Sequence, residues 1–193
     1  MDIILASRSP RRRALLKQLI DVFECRPADI DESPLDDELP SAYVERLARA
    51  KAHRFAADDR LVLAADTTVV RDSDLLGKPL DKSHARRMLQ SLSGRAHHVW
   101  TAVAIAGEGR IDSRTVCTEV SFATLSESLI DAYLATDEPW DKAGSYGIQG
   151  LAGCFVSAVR GSYSAVVGLP LCETRQLLTS FDILPHWVAS ADG

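Results

Sequence analysis

The chain has 193 residues, 46% of them hydrophobic and 25% charged, the make-up of a globular protein that buries a core without disulfide or metal staples. A net charge of −5 excludes a broad nucleic-acid surface, which needs a basic footprint, but leaves room for a small, locally basic pocket. Four cysteines stand far apart with no Cys-x-x-Cys pair, and no apolar run reaches the length of a signal peptide or membrane span, so a reducing, cytoplasmic setting is expected.

In chain order, Ile3–Ala6 reads as a strand and Pro10–Leu19 as a helix, with Ser9 as its cap, Pro10 in its first position, and Leu15, Leu16 and Leu19 at core spacing. The turn between them holds Ser7, Arg8, Ser9, Arg11 and Arg12. Basic side chains oppose the sign of a helix N-terminus, and an anion would reverse that penalty; a solvated first turn is the alternative. Val22–Arg26 reads as a short strand, followed by an acidic loop with Asp29, Asp31, Glu32, Asp36, Asp37 and Glu38. Oxygen ligands such as Asp31 and Glu32 suit Mg²⁺ or Mn²⁺, although most of the loop reads as solvated.

Pro40–Ala57 is the clearest long helix, with Ser41 as a plausible cap and Tyr43, Val44, Leu47, Ala48 and Phe55 on its apolar side. Lys51 lies one turn beyond Leu47, at the edge of that side, where a lysine either snorkels to water or points into a cleft. Leu61–Val70 follows. Its five apolar residues fit a buried strand, and Asp66 at the end of that run is costly unless a cation, a hydrogen-bond network or a metal receives it. A strand-end turn around Asp66 is the alternative. Lys78, between Gly77 and Pro79, sits on a stiff loop able to reach an anion, though the pattern is no P-loop.

Asp81 opens a helix that runs to Leu92 and ends at Ser93-Gly94. His98–Ala106 and Ile111–Ala123 read as a hairpin turning at Glu108-Gly109. Neighbours on a strand face opposite ways, so His97 and His98 are not expected to share a metal. Ser126 caps a helix to Ala135. The glycine-rich stretch Ala143–Gly153 allows close backbone approach to a ligand, and its Tyr146 and Ile148 argue against a flexible connector. Gln149 has the donor and acceptor of a neutral amide, suited to reading a base edge. Cys154–Val159 reads as a strand, Gly161–Tyr163 as a turn, and a last helix runs to Leu178, with no pattern beyond Phe181. Three of the cysteines have apolar sequence neighbours and read as buried thiols.

Four stretches taken together resemble the Maf family of nucleoside triphosphate pyrophosphatases: Leu5–Arg12, Ala65-Asp66-Thr67, Gly77-Lys78-Pro79, and Asp141–Gly144 running on to Gly147–Gly150. Ser93-Gly94 with His97, His98, Val99 and Thr101, and Val167–Pro170, fit the same pattern, so the resemblance extends from Ile3 to about Leu178 of one domain spanning residues 1–193. It implies an α/β fold similar to the inosine triphosphatase type, with a long mixed sheet, flanking helices and two lobes around a cleft. It also implies cleavage of a nucleoside triphosphate to monophosphate and pyrophosphate with a divalent metal, Mg²⁺ or Mn²⁺, and Asp66 as general base. Arg12, Thr67 and Gln149 stand where the branch preferring dTTP and UTP has its distinguishing residues.

The chemistry of phosphoanhydride cleavage is consistent with that pattern. Cations must neutralise phosphate oxygens, a task for Arg11, Lys51 and Lys78 alongside Ser7 and Arg12 in the substrate site. A carboxylate must take the proton of the attacking water, and Asp66 is the candidate. Glu32 and Asp66 are the candidate metal ligands, and whether Asp66 serves as base or ligand stays open. The expected partners are the triphosphate substrate and, as an open alternative, a second copy of the chain; no nucleic acid or membrane is expected. A nucleotide-binding regulator linked to cell division, without turnover, is the rival reading.

Overall fold

The computed structural model describes residues 2–55 and 60–189. Its sheet has seven strands: β1 (Ile3–Leu5), β2 (Glu24–Cys25), β3 (Leu61–Arg71), β4 (Asp74–Leu76), β5 (Ala96–Gly107), β6 (Arg110–Phe122) and β7 (Val156–Arg160). They are ordered β2-β1-β3-β5-β6-β7, with β4 pairing to β3. β1 is parallel to both β2 and β3, while β4 and β7 run antiparallel to their neighbours, so the sheet is mixed. The helices are α1 (Pro10–Leu16), α2 (Pro40–His53), α3 (Lys82–Leu92), α4 (Glu127–Tyr133), α5 (Tyr163–Val167), α6 (Leu171–Ser180) and α7 (His186–Ala189). The fold class expected from the sequence, a mixed sheet with helices around it, is the one observed. None of the described helices is long and apolar enough to cross a membrane.

Two compact units emerge from the contacts. The first comprises residues 2–55, 60–66, 101–116 and 168–189. Ile4, Leu5, Leu16, Leu47, Leu61, Leu63, Ile105 and Leu169 are fully buried in it. The second comprises residues 67–100 and 117–167, and its core gathers Val69, Leu89, Leu92, Val120, Phe122, Tyr133, Tyr146 and Phe155. Edge-to-face ring contacts run through that core from His97 by Phe122 and Tyr146 to Phe155 and Tyr133.

Several local expectations hold. Ser9, Asp81 and Ser126 cap α1, α3 and α4, each accepting a bond from the backbone N–H three residues on. Glu108 and Gly109 both take positive φ, the conformation that a two-residue hairpin turn requires.

Other expectations are corrected. Helix α1 stops at Leu16, because Gln18 and Leu19 close i→i+3 bonds to Leu15 and Leu16 instead of continuing the α pattern. At α2, Leu39 holds the cap position with no side-chain bond, and Ser41 is inside the helix. That helix ends at His53; the Ala56 and Ala57 of its expected range lie outside the described residues. Asp66 is not at a strand end. The β-branched run Thr67–Val70 keeps the backbone extended, and β3 continues to Arg71. β4, α5 and α7 form where the sequence pattern predicts no separate strand or helix. α7 is held where the His186 N–H donates to Leu19 O and the Trp187 indole to Gln18 O. All four cysteines are exposed free thiols. Apolar residues near them in sequence face the other way: Val120 turns inward near Cys117, Phe155 beside Cys154, and Leu177 and Leu178 beyond Cys172.

Candidate active site

In the first unit, the repeat of Tyr43, Leu47 and Lys51, one residue per turn of α2, places all three on one face. Leu47 is fully buried there, and Lys51 is drawn in with it to 7% exposure. The Lys51 ammonium lies 2.7 Å from Asp66 Oδ1 on β3 and 2.6 Å from Glu32 Oε1 on the acidic loop. Of the two alternatives for this lysine, it points inward, and the cation that a buried Asp66 needs comes from α2. Burial pushes the Asp66 carboxyl above the usual carboxylate range, while Lys51 and then Arg12 oppose that shift.

The β1–α1 turn belongs to the same unit. Ser7 is buried, and its Oγ accepts the Ser9 N–H at 3.1 Å. Arg12 leaves the first turn of α1 half-buried, and its Nε donates to Gly168 O at 2.8 Å. Burial draws its guanidinium pKa down, with Asp66 and Glu32 opposing and Arg11 adding to the fall. Electrostatically, Arg11, Arg12, Glu32, Lys51 and Asp66 therefore form one group. Arg8 is spent elsewhere, in an exposed pair with Asp29.

The acidic loop is exposed along most of its length, as its composition leads one to expect, and it is tethered to α2 at three points. Tyr43 Oη donates to Glu32 O at 2.9 Å. Arg46 reaches both Glu38 oxygens at 2.6 Å and Ser33 O at 3.1 Å, and Glu38 Oε2 also accepts the Leu35 N–H. Two side chains of α2 thus hold the loop that carries Glu32. Burial and the nearby Asp66 and Glu32 charges push the Tyr43 phenol up to about 12, so it remains a donor at neutral pH. Sequence reasoning placed Tyr43 in the core and gave Arg46 no role. Their signal was the i, i+3 spacing, which lets both side chains reach the same loop.

The second unit holds Thr67, Lys78 and Gln149. Thr67 is half-buried on β3 and, by strand alternation, faces the opposite side of that strand from Asp66. Lys78 is exposed on a loop whose Gly77 O accepts the Gly144 N–H at 3.1 Å, which ties it to the glycine-rich segment. That segment is ordered by packing, as its anchors suggested: Tyr146 is buried and linked by a 2.8 Å hydrogen bond to His97 Nε2. Gln149 is exposed at the tip of a turn closed by the Gly150 N–H on Gly147 O. His97 is buried and His98 exposed, on opposite faces of β5 as expected.

Glu32 and Asp66 are the residues able to hold a metal. The point on which their oxygens converge is the Lys51 ammonium; a cation of the Mg²⁺ type, which favours hard oxygens, keeps waters and takes further oxygens from phosphate, would share these carboxylates with Lys51 or displace it. No group of three or more His, Cys, Asp or Glu among the described residues offers a fuller cage. The arrangement as a whole combines a buried carboxylate of raised basicity, a lysine beside it and arginines nearby, a set suited to proton abstraction next to an anionic substrate.

The family model for Maf-like proteins matches residues 2–181. The dTTP/UTP pyrophosphatase of Shewanella oneidensis is 52% identical over 95% of this chain and 100% of its own length. Those of Escherichia coli and Anaeromyxobacter dehalogenans are 50% and 54% identical, over 100% and 91% of this chain and 99% and 92% of their own. Among solved structures, the Staphylococcus aureus Ham1 protein matches with a TM-score of 0.53 at 12% identity, over 94% of this chain and 97% of that one. At that identity the likeness is one of fold.

Proposed function

The chain belongs to the Maf family, and on that premise we propose that it hydrolyses dTTP and UTP to the monophosphate and pyrophosphate, with modified pyrimidine nucleotides also within its range. The observation that carries the proposal is the buried Asp66 carboxylate in contact with Lys51. Burial makes Asp66 a stronger base than a solvated aspartate, while Lys51 and then Arg12 oppose that shift. Asp66 takes the proton of a water attacking at the α–β anhydride. Arg11, Arg12 and Lys51 neutralise charge as it develops on the phosphate oxygens, and Lys78 adds a cation from its exposed loop.

A divalent cation, Mg²⁺ or Mn²⁺, would be held by Glu32 and Asp66, with its remaining ligands from water and the triphosphate. When bound it supplies further neutralisation of phosphate charge. Ser7 lines the substrate's approach to the arginine turn, while Thr67 and Gln149 choose the base by hydrogen bonding.

Asp66→Asn tests this assignment, because it keeps the side-chain shape and removes the base. Turnover of dTTP is expected to fall roughly a hundredfold or more, with nucleotide affinity within a few-fold of the unsubstituted protein. Near-normal turnover would remove Asp66 from the chemistry.

A further inference from the structure

Gln149 is exposed, so its own packing does not fix where its amide points. The turn that carries it is fixed from below. Glu138 stands in the mouth of the turn, in the segment before the short 3₁₀ turn Pro139–Asp141. Its Oε2 accepts the Leu151 N–H at 2.7 Å, and its Oε1 accepts the Ala152 N–H and the Tyr133 phenol, each at 3.1 Å. Its carbonyl oxygen accepts Lys142 Nζ at 2.6 Å, and the Lys142 stem in turn covers Gly147.

The two glycines that bound the turn are required by this arrangement. A Cβ at Gly150 would lie 2.2 Å from Glu138 Oε2, and one at Gly147 would lie 2.8 Å from Lys142 Cε. Ile148, the other residue of the turn, packs against the core of the second unit. A carboxylate accepting two backbone N–H groups and a phenol makes stronger bonds than neutral partners would.

We propose that Glu138 is a positioning residue for base selection: by gripping the backbone just after Gly150 it holds the Gly147–Gly150 turn in one conformation, and so sets the direction in which Gln149 presents its amide to the base. The inference rests on the reading of the chain as a nucleotide pyrophosphatase that recognises pyrimidines. It assigns Glu138 no contact with the substrate and no part in the chemical step. The turn is small and nearly all backbone, so a single anion below it controls both of its ends.

The test compares Glu138→Gln and Gly150→Ala with the unsubstituted protein on dTTP, UTP, dCTP, dATP and dGTP, in steady-state turnover and in equilibrium binding. Glu138→Gln replaces one acceptor oxygen with an amide that faces a backbone N–H. Gly150→Ala forces the carboxylate aside without removing it. Both variants are expected to raise the KM for dTTP and UTP about tenfold, the size of one lost charge-assisted bond, with kcat within about threefold. The preference for dTTP and UTP over the other triphosphates is expected to narrow by a similar factor. A purely structural role would instead lower the thermal midpoint and reduce all substrates together, leaving the preference unchanged; that result overturns the proposal. If neither variant folds, Glu138→Asp, which keeps the charge but shortens its reach, provides the same comparison. An unsubstituted protein that binds dTTP and UTP selectively without hydrolysing them contradicts the pyrophosphatase reading, and the proposal is then decided by binding preference alone. An unsubstituted protein without base preference in either assay overturns the proposal itself.

Discussion

A lysine with two carboxylates around it is the point on which the site depends. Lys51 and Asp66 are both buried, so their attraction is poorly screened, and removing Lys51 takes away the largest of the charges that offset the burial of Asp66. Lys51→Met is therefore expected to cost about 3 kcal/mol of stability at neutral pH, with the loss recovered in large part by adding Asp66→Asn. Urea unfolding of the two single variants and the double variant checks this. The sign with pH follows from the direction of the Asp66 shift. Without Lys51 its folded pKa rises further above the unfolded value, so the loss is complete above that raised value and shrinks as pH falls through it. For the same reason, the acid limb of any residual activity should move to higher pH in Lys51→Met. A limb that moves down, or an additive double variant, would show that the two groups do not couple.

At the scale of elements, the long pieces were legible and the devices that hold them were not. β3 could be read from its apolar run and α2 from its 3.6-residue period, and Lys51 fell at the edge of the right face. What sequence periodicity does not carry is the identity of long-range partners. The grip of Tyr43 and Arg46 on the acidic loop joins residues that periodicity treats separately. The position of Asp66 inside β3 was misjudged because a charge in an apolar run reads as an end when its cation lies fifteen residues away on another element. The cysteines failed for the converse reason, since hydrophobic neighbours in sequence say nothing about which face a side chain takes.

Among the elements of the second unit, β5 carries a device of its own. Burial pushes His97 down to about 4, and it sits neutral between Phe122 and Tyr146. A folded pKa below the unfolded value means that the unfolded chain binds the extra proton first. Stability is therefore complete above about 6.5 and is lost as pH falls toward 4, by up to about 1.4 kcal/mol per unit. Urea midpoints between pH 7 and 4.5 should show this slope, and His97→Phe should flatten it. An equal slope in the variant would assign the acid lability to other groups.

For the whole molecule, the residues assigned to the substrate divide between two compact units. Ser7, Arg11, Arg12, Glu32, Lys51 and Asp66 lie in the first, and Thr67, Lys78 and Gln149 in the second. The chemistry-bearing charges of the first unit interact with one another, and of the residues assigned to base choice Arg12 lies in the first unit, Thr67 and Gln149 in the second. That division accounts for what the motifs could convey. Each short motif names a residue type suited to phosphate or base, while the contacts among motifs come only with the fold. The identity of the products tests the proposed reaction most directly. Incubated with dTTP and Mg²⁺ or Mn²⁺, the protein is expected to release dTMP and pyrophosphate in equal amounts, without orthophosphate. Release of orthophosphate with dTDP would place cleavage at the γ position and contradict the account, as would saturable binding of dTTP with no turnover, the behaviour of a nucleotide-sensing regulator.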